Sequence, residues 1–446
     1  MKAVISIDLG ATYTKVAWRK AWTDLDTIYE ESSMPVEVDG AFMIPSLALK
    51  VSSGREENWY FGLEAARMKP GKGSTVHLDW KSKLYHKHLD REVDAPVQVA
   101  GRFFQWLHKK LESEGIPVDR SRVRLSVPAF DEKRMVGVIE TLAQCMRENG
   151  WRNEDIFKVE EPTGNLLGLA TGGHNFTLFG TKSHSFNLNY SEMMPPGSML
   201  IAAARNAALH AMNDPVGIAI LDIGSFTTDV AFLRFHPDSP DDYVKVIEQT
   251  SVAKGVLEYL DQPLFKLLSK EESVKFNERT FEEREKIKMS LFSAKPGRYT
   301  LGRAKVLDGN SLKPATDLMV ETFASAIADA VRPVFEKQSP DRICITGGGR
   351  HVRNLRDRLL AKLASGKPRK KLLEFPISST DFDLTRLAGA LGGASIILDR
   401  PVMGMPEARY EWPVETGVQL VDCTCQGGNK DCMFCAGSGF RRVRRR

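Results

Sequence analysis

Apolar residues recur along this chain in two patterns, short continuous runs and longer runs with the spacing of a helix. The short runs predict buried strands at Val4–Leu9, Thr14–Trp18, Val123–Val127, Val216–Ile223, Asp229–Phe235 and Arg342–Thr346. Helical spacing predicts an amphipathic helix over Glu132–Glu148, and a closing helix is predicted over Asp381–Leu398. Strands that alternate with helices predict an α/β protein whose sheets are covered by helices.

Two stretches interrupt this alternation. Residues 171–198 are rich in Gly, Asn, Ser and His, which is typical of a long surface loop. Residues 399–420 contain three prolines and are predicted to form a linker to a cluster of cysteines. The α/β pattern is therefore expected to carry one insertion and to be followed by a short C-terminal module.

The strand pattern contains a duplication around two aspartates. Asp8 and Asp222 each stand at the end of an apolar strand, and each is followed by a glycine, a turn with hydroxyl-bearing residues and a second strand. Backbone N–H groups of such a turn can hold phosphate oxygens, and carboxylates suit Mg²⁺ and its bound waters. One such hairpin could equally be a capped turn, whereas two in one chain favour a shared phosphate and magnesium site.

Composition narrows the class of protein. The formal net charge of +5 is carried by the last six residues, which hold five arginines, so the body of the chain gives no sign of a nucleic-acid-binding face. The N-terminus lacks a signal-peptide pattern, and no apolar run approaches the ~20 residues that span a bilayer. Cys145 and Cys344 stand alone in apolar surroundings and are predicted to be core residues. A cytoplasmic protein with no membrane contact is expected.

A series of short segments accompanies the two hairpins. These segments are Ile44-Pro45-Ser46, Phe61–Ala66, His77–Lys81, Ser126–Phe130, Glu160–Gly164, Ile345–Arg350 and Asp383–Gly392. Their order resembles that of the nucleotide-binding domain of the seventy-kilodalton heat-shock chaperones, in the superfamily that also includes actin and sugar kinases. The resemblance extends over residues 1–398.

This resemblance implies a two-lobed actin-like ATPase fold, in which two ribonuclease H-like halves enclose a nucleotide cleft. The implied boundaries are lobe I at 1–170 with a subdomain at 38–116, an insertion at 171–214, lobe II at 215–398 with a subdomain at 251–330, a linker at 399–420, and a zinc motif with a basic tail at 421–446. The residues after 398 are expected to be too few for the peptide-binding half of such a chaperone.

The resemblance also implies roles for individual residues. Asp8 and Asp222 would face Mg²⁺, with Asp229 nearby. Lys81 would stabilise charge on the transferred phosphoryl group, and Glu161 would hold the attacking water. The phosphates would be bound by Gly10, Ala11, Thr12, Tyr13, Lys15, Gly224, Ser225, Phe226 and Thr227. The nucleoside would be bound by Glu285, Lys288, Gly347, Gly348, Gly349, Arg350 and Asp383.

Some of these residues also have simpler interpretations. Without the resemblance, Lys81 would be assigned to a solvated lysine-rich face, and Glu161 to a turn before a proline. Glu285 and Lys288 could form an exposed ion pair on a helix, because they are three residues apart.

Departures from the chaperone pattern affect the expected rate. Ala11 replaces a hydroxyl near the γ-phosphate, Ser225-Phe226 replaces two glycines, and His351 replaces an arginine that stacks on adenine. We therefore expect ATP to be bound with Mg²⁺ and hydrolysed slowly to ADP and phosphate, with the nucleotide state controlling contact with a partner. A filament-forming actin-like ATPase, a nucleotide sensor with little turnover and a small-molecule kinase remain as alternatives.

Four cysteines near the C-terminus predict a zinc site. Cys423, Cys425, Cys432 and Cys435 form two closely spaced pairs among glycines, and four thiolates suit tetrahedral Zn²⁺. The second pair resembles a zinc repeat of the J-protein co-chaperones, although disulfides or free thiols remain open. A protein partner is expected at this motif or at the 171–214 insertion, and the arginine tail leaves a weak nucleic-acid contact open.

Overall fold

The computed structural model of the protein describes residues 3–20, 33–54, 56–84, 96–129, 138–151, 156–165, 168, 216–235, 244–301, 305–364, 373–374, 382–395, 411–413, 418–422 and 440–444. It is a mixed α/β structure with several sheets, which confirms the predicted fold class at that level. Among the described residues, no helix is long and apolar enough to cross a membrane.

The described residues of the N-terminal half (3–168) include nine strands and four helices that are named here. The strands are β1 (Ala3–Leu9), β2 (Tyr13–Arg19), β3 (Met34–Pro35), β4 (Ile44–Pro45), β5 (Ala48–Ser53), β6 (Glu56–Phe61), β7 (Ser74–His77), β8 (Ser121–Val127) and β9 (Ile156–Glu160). The helices are α1 (Gly62–Arg67), α2 (Trp80–Leu84), α3 (Pro96–Ser113) and α4 (Val138–Arg147). A short helical segment, residues 161–165, follows β9.

In the C-terminal half (residues 216–374), the part that the structure describes includes seven strands and five α-helices. The strands are β10 (Val216–Ile223), β11 (Thr228–Phe235), β12 (Val244–Val252), β13 (Arg298–Leu301), β14 (Lys305–Asp308), β15 (Arg342–Thr346) and β16 (Leu373–Glu374). The helices are α5 (Gln262–Leu267), α6 (Lys270–Asn277), α7 (Phe281–Leu291), α8 (Gly309–Gln338) and α9 (Leu355–Ala364). The C-terminal segment adds α10 (Phe382–Gly393), β17 (Glu411–Pro413), β18 (Val418–Asp422) and β19 (Phe440–Arg444).

The main sheets of the two halves share one strand arrangement. In the first, β3, β2 and β1 are antiparallel, and β8 and β9 continue parallel to β1. In the second, β12, β11 and β10 are antiparallel, and β15 and β16 continue parallel to β10. The duplicated hairpins of the sequence are therefore the central antiparallel pairs of two sheets with the same order.

Each of the two main sheets has its own hydrophobic core. All seven residues of β1 are buried, as expected for a continuous apolar strand that is covered on both faces. Helix α3 packs on this sheet with a buried stripe of Val99, Phe103, Leu107 and Leu111 at helical spacing. The second core is formed around β10 and β11 by α8 and α9. Cys145 and Cys344 are both buried, as predicted.

The chain returns from the second half to the first. Helix α10 packs on β1, β2 and β8, and the buried guanidinium groups of Arg19 and Arg124 donate to the carbonyls of Gly393, Ala394 and Ser395. The predicted helix over Asp381–Leu398 was therefore too long. The helix ends at Gly393, and the backbone carbonyls of residues 393–395 accept hydrogen bonds from arginines of the first sheet. Residues 396–398 lie outside the described part of the chain.

The predicted linker at 399–420 is partly a sheet edge. Residues Glu411–Pro413 pair antiparallel with β9 and extend the first sheet, where a proline is tolerated because they form its last strand among the described residues. Strands β18 and β19 form a separate antiparallel pair whose register joins Asp422 to Phe440. The four predicted zinc ligands and the 171–214 insertion lie outside the described residues.

Candidate functional site

A cavity of about 330 Å³ is lined by residues of both halves. The sequence-predicted residues that line it are Asp8, Gly10, Ala11, Thr12, Tyr13, Lys15, Lys81, Glu161, Asp222, Gly224, Ser225, Phe226, Thr227, Asp229, Glu285, Lys288, Gly347, Gly348 and Gly349. Arg350 is not among the residues that line this cavity. Asp383 lies near the start of α10, and its side chain is outside the described part of the structure.

The first hairpin places a carboxylate beside a lysine. Asp8 and Lys15 are cross-strand neighbours in β1 and β2, and the Lys15 ammonium donates to Asp8 Oδ2 over 2.9 Å. Burial lowers the pKa of Lys15, but Asp8 and then Asp222 outweigh this effect and raise it above its ordinary value. Gly10 is required between them, since a Cβ there would lie 2.2 Å from the Tyr13 carbonyl oxygen.

The second hairpin places two carboxylates side by side. Asp222 and Asp229 are directly opposite in β10 and β11. Burial raises the pKa of Asp222 to about 6, Lys15 opposes the rise and Asp8 adds to it. Burial also raises the pKa of Asp229 well above its ordinary value, with Glu161 adding to the effect. Because Asp8 of the first hairpin and Glu161 both add to the raised pKa of Asp222, the carboxylates of both hairpins belong to one electrostatic cluster.

Lys81 and Glu161 form a buried ion pair in this cavity. The Lys81 ammonium donates to Glu161 Oε1 over 2.9 Å, and the two residues are only 4% and 8% exposed. Lys81 is held by the short helix α2, and Glu161 begins the helical segment after β9. The solvated-face interpretation of Lys81 is therefore wrong, because a carboxylate 80 positions further along the chain neutralises it in the interior.

Helix α7 contributes several residues to the lining of the cavity. A capping box between Thr280 and Glu283 starts this helix. One turn later, the Lys288 ammonium lies 2.7 Å from Asp261 and 2.6 Å from Glu285. The predicted pair of Glu285 and Lys288 is thus half-buried and is joined by a third, buried residue, Asp261, which ends a π-helical turn. Such turns frequently occur at functional sites.

The glycine run after β15 lines the cavity beside Asp222. Gly347 has a φ of +80°, and a Cβ on it would lie 2.1 Å from Asp222 Oδ1. The neighbouring 3₁₀ turn contributes His351, and α10 contributes Arg386. Burial lowers the pKa of His351 to about 4, and Arg386 and Arg350 add to this effect. The His351 imidazole is therefore neutral at pH 7.

A smaller cavity of about 50 Å³ adjoins the large one and shares Thr12, Glu285 and Lys288 with it. Asp79, which has a φ of +53°, and the buried Arg284 line this smaller cavity. Burial raises the pKa of Asp79 to about 6; Lys288 opposes the rise and Asp261 adds to it. Charged groups of the two halves thus meet beside the main cavity.

Sequence reasoning missed several residues of the site. Asn165 donates to Asp222 Oδ2 over 2.6 Å. Asp261 accepts a hydrogen bond from Lys288, and Arg386 lines the cavity. Asn165 follows the Glu-Pro-Thr-Gly segment directly and could have been found as its continuation. Asp261 and Arg386 have no local signal, because only the fold brings them to the cavity.

The donor set of the cavity fits a hard divalent cation. Asp8, Asp222 and Asp229 present carboxylate oxygens into one space, and oxygen is the ligand atom that Mg²⁺ prefers. Lys15 and Lys81 in the same space suit phosphate oxygens. In comparisons with known proteins, no family model matches this chain, and no curated protein sequence matches it.

Proposed function

We propose that this protein binds ATP with Mg²⁺ in the cavity and hydrolyses it slowly to ADP and phosphate. The observation that carries the proposal is the convergence of two similarly built hairpins. Asp8 of the first and Asp222 of the second line one cavity, and Asp8 adds to the raised pKa of Asp222, although 214 positions separate them. Two carboxylate-tipped turns that meet in this way suit one metal-bound polyphosphate.

The proposal includes a two-lobed actin-like architecture with ribonuclease H-like halves. It is supported by the identical order and direction of β3-β2-β1-β8-β9 and β12-β11-β10-β15-β16. A cavity that is lined by both sheets is what such a duplication would enclose. The heat-shock-chaperone likeness of the motifs agrees with this arrangement, because those motifs supply most of the lining.

The residues of the chain would act mainly by position and charge. Phosphoryl transfer to water requires positioning and charge stabilisation more than covalent chemistry. Lys81 is poised to exchange its contact with Glu161 for a phosphate oxygen, which would free the Glu161 carboxylate to accept a hydrogen bond from water. When bound, Mg²⁺ would neutralise phosphate charge. Asp8 and Asp222 would hold it.

Other parts of the proposal concern residues outside the described structure. Zinc binding by Cys423, Cys425, Cys432 and Cys435, and contact with a protein partner through these residues or the 171–214 insertion, are proposed from the sequence alone. The paired strands β18 and β19 bring the two ends of the cysteine segment together, which agrees with a metal-closed loop.

Calorimetry and turnover measurements test the proposed function together. The wild-type protein should bind Mg·ATP and release phosphate without an added acceptor. Lys81→Ala should lower turnover by about 100-fold or more while ATP still binds, as is common when one charge-stabilising group is lost. A wild-type protein that gives no heat of binding with adenine nucleotides, or a Lys81→Ala variant with unchanged turnover, would contradict the proposal. Lys83→Ala, an exposed lysine of the same helix, is the matched control.

A further inference from the structure

The last residues of β12 connect the two halves of the chain beside the cavity. Alternate side chains of a strand point to the same face, and Gln249 and Ser251 both contact the N-terminal half. Ser251 is also the cross-strand neighbour of Asp229, which in turn faces Asp222. A row of three side chains therefore crosses β10, β11 and β12 and ends at the other half.

Ser251 has a fixed hydroxyl orientation. The Ala129 N–H, from the segment just after β8, donates to Ser251 Oγ over 2.7 Å. Ser251 N–H donates in return to the Ala129 carbonyl over 3.1 Å. Because the amide proton occupies one acceptor side of the hydroxyl oxygen, the single hydroxyl proton is directed to Asp229 Oδ1, with which Ser251 makes a short hydrogen bond.

Asp229 is held from both sides by this arrangement. Thr227 Oγ1 donates to Asp229 Oδ2 over 2.9 Å while Ser251 donates to Oδ1. A carboxylate that accepts one hydrogen bond at each oxygen cannot rotate without breaking one of them. The plane of the Asp229 carboxylate is thus set by two hydrogen bonds, and Ala129 of the other half orients the Ser251 hydroxyl that makes one of them.

Gln249 contacts the segment that carries Glu161 in a similar way. Thr163 Oγ1 donates to Gln249 Oε1 over 2.6 Å, and Gln249 Nε2 makes a short hydrogen bond to Glu160. Glu160 and Thr163 flank Glu161, which forms the buried pair with Lys81. One amide side chain of β12 therefore fixes the segment that carries Glu161.

We propose that Ser251 and Gln249 are positioning residues for the reaction, Ser251 for the metal-facing Asp229 and Gln249 for Glu161. This inference rests on the proposed function. It adds that the two carboxylates are correctly placed only when the end of β12 is docked on the N-terminal half. Opening of the two halves at this point would release both carboxylates at once and stop turnover before nucleotide is lost.

Single substitutions on this strand separate the two roles. With Ser251→Ala, we expect ATP affinity without metal to stay within about 2-fold, whereas the gain in affinity on adding Mg²⁺ should fall about 10-fold, since one hydrogen bond to a charged group is lost. Ser251→Thr keeps the hydroxyl and should restore that gain to within about 3-fold. With Gln249→Ala, both affinities should stay within about 2-fold and kcat should fall about 10-fold, because a displaced reacting group costs rate.

Thr250→Ala, the residue between them on the same strand, is the matched control for general damage to β12. Urea unfolding of every variant shows whether the fold is kept. Ser251→Ala and Gln249→Ala that both behave like Thr250→Ala, or that both lose metal-dependent binding and kcat in equal measure, would overturn the inference while leaving the proposed function in place. A wild-type protein that binds no Mg·ATP would overturn both.

Discussion

Gly392 of α10 lies so close to Gly164 that a Cβ atom on Gly392 would stand 1.8 Å from the Gly164 carbonyl oxygen. A Cβ on Gly168 would stand equally close, 1.8 Å, to the carbonyl oxygen of Ala388. The segment after β9 and helix α10 therefore cross with their backbones in direct contact. This contact holds Asn165 near Asp222 and Gly389 near Asp8, so the crossing supports the candidate site.

Gly392→Ala should destabilise the protein by about 3 kcal/mol, because the methyl group can be placed only by separating two backbones. Urea unfolding measures this difference. Gly71→Ala is the matched control, since a Cβ at Gly71 would meet nothing within 4 Å, and it should be nearly neutral. Equal stability of the two variants would show that the crossing is looser than described.

Asp79→Asn should stabilise the protein at neutral pH. The pKa of Asp79 is raised to about 6 in the folded protein, so between about pH 4 and pH 6 the folded state binds more protons than the unfolded state. The contribution of Asp79 to stability is therefore lost as pH rises through that window. Asparagine removes this loss and tolerates the left-handed backbone at this position.

Urea unfolding at several pH values tests this expectation. The stability difference between Asp79→Asn and the wild type should grow from about 1 kcal/mol at pH 5 to about 2 kcal/mol at pH 7.5. Asp119→Asn, at an exposed aspartate of the same half, is the matched control. A variant less stable than the wild type at pH 7.5 would contradict the expectation.

Arg124→Met should destabilise the protein by about 3 kcal/mol, because the carbonyls of Gly393 and Ser395 lose a charged donor in the interior. Arg124 is wholly buried, so solvent cannot replace it. The exposed Arg120→Met serves as the control in the same unfolding experiment. If the two substitutions cost the same, the end of α10 is not held by Arg124.

Metal analysis of the purified protein tests the cysteine motif. We expect about one zinc per chain, and loss of that zinc in a Cys432→Ser, Cys435→Ser double variant, because four thiolates complete a tetrahedral site. Cys145→Ser is the control, since that thiol is buried elsewhere. Less than about half an equivalent of zinc in the wild type would count against the site.

The strands were predictable because their signal is local. The predicted Val216–Ile223 and Arg342–Thr346 have the same bounds as β10 and β15, since a continuous apolar run stops where the chain leaves the sheet. The closing helix was predicted too long because the apolar residues after Gly393 resemble a continuation. The helix ends at the Gly392-Gly393 pair, and Arg124, 269 positions away, donates to the Gly393 carbonyl oxygen, a contact that the local pattern does not contain.

Candidate site residues were predictable only where they belong to the duplicated turns or to a motif series. Asp8 and Asp222 could be found from the strand, aspartate and glycine pattern. Lys81 required the family resemblance, because its burial depends on pairing with Glu161. Ser251 and Asp261 are ordinary strand and helix residues in sequence, and their roles arise from contacts with residues that are distant along the chain.

Because α10 packs on the first sheet and β17 extends it, this sheet can be completed only late in translation. Strands β1, β2 and β8 emerge early, yet the helix that covers them begins at Phe382 and the strand that extends their sheet at Glu411. The apolar surface of these strands that α10 covers therefore stays exposed while the second half is translated. Nascent chains arrested before Phe382 should accordingly be prone to aggregate and to recruit holding factors until residues 382–413 have been synthesised.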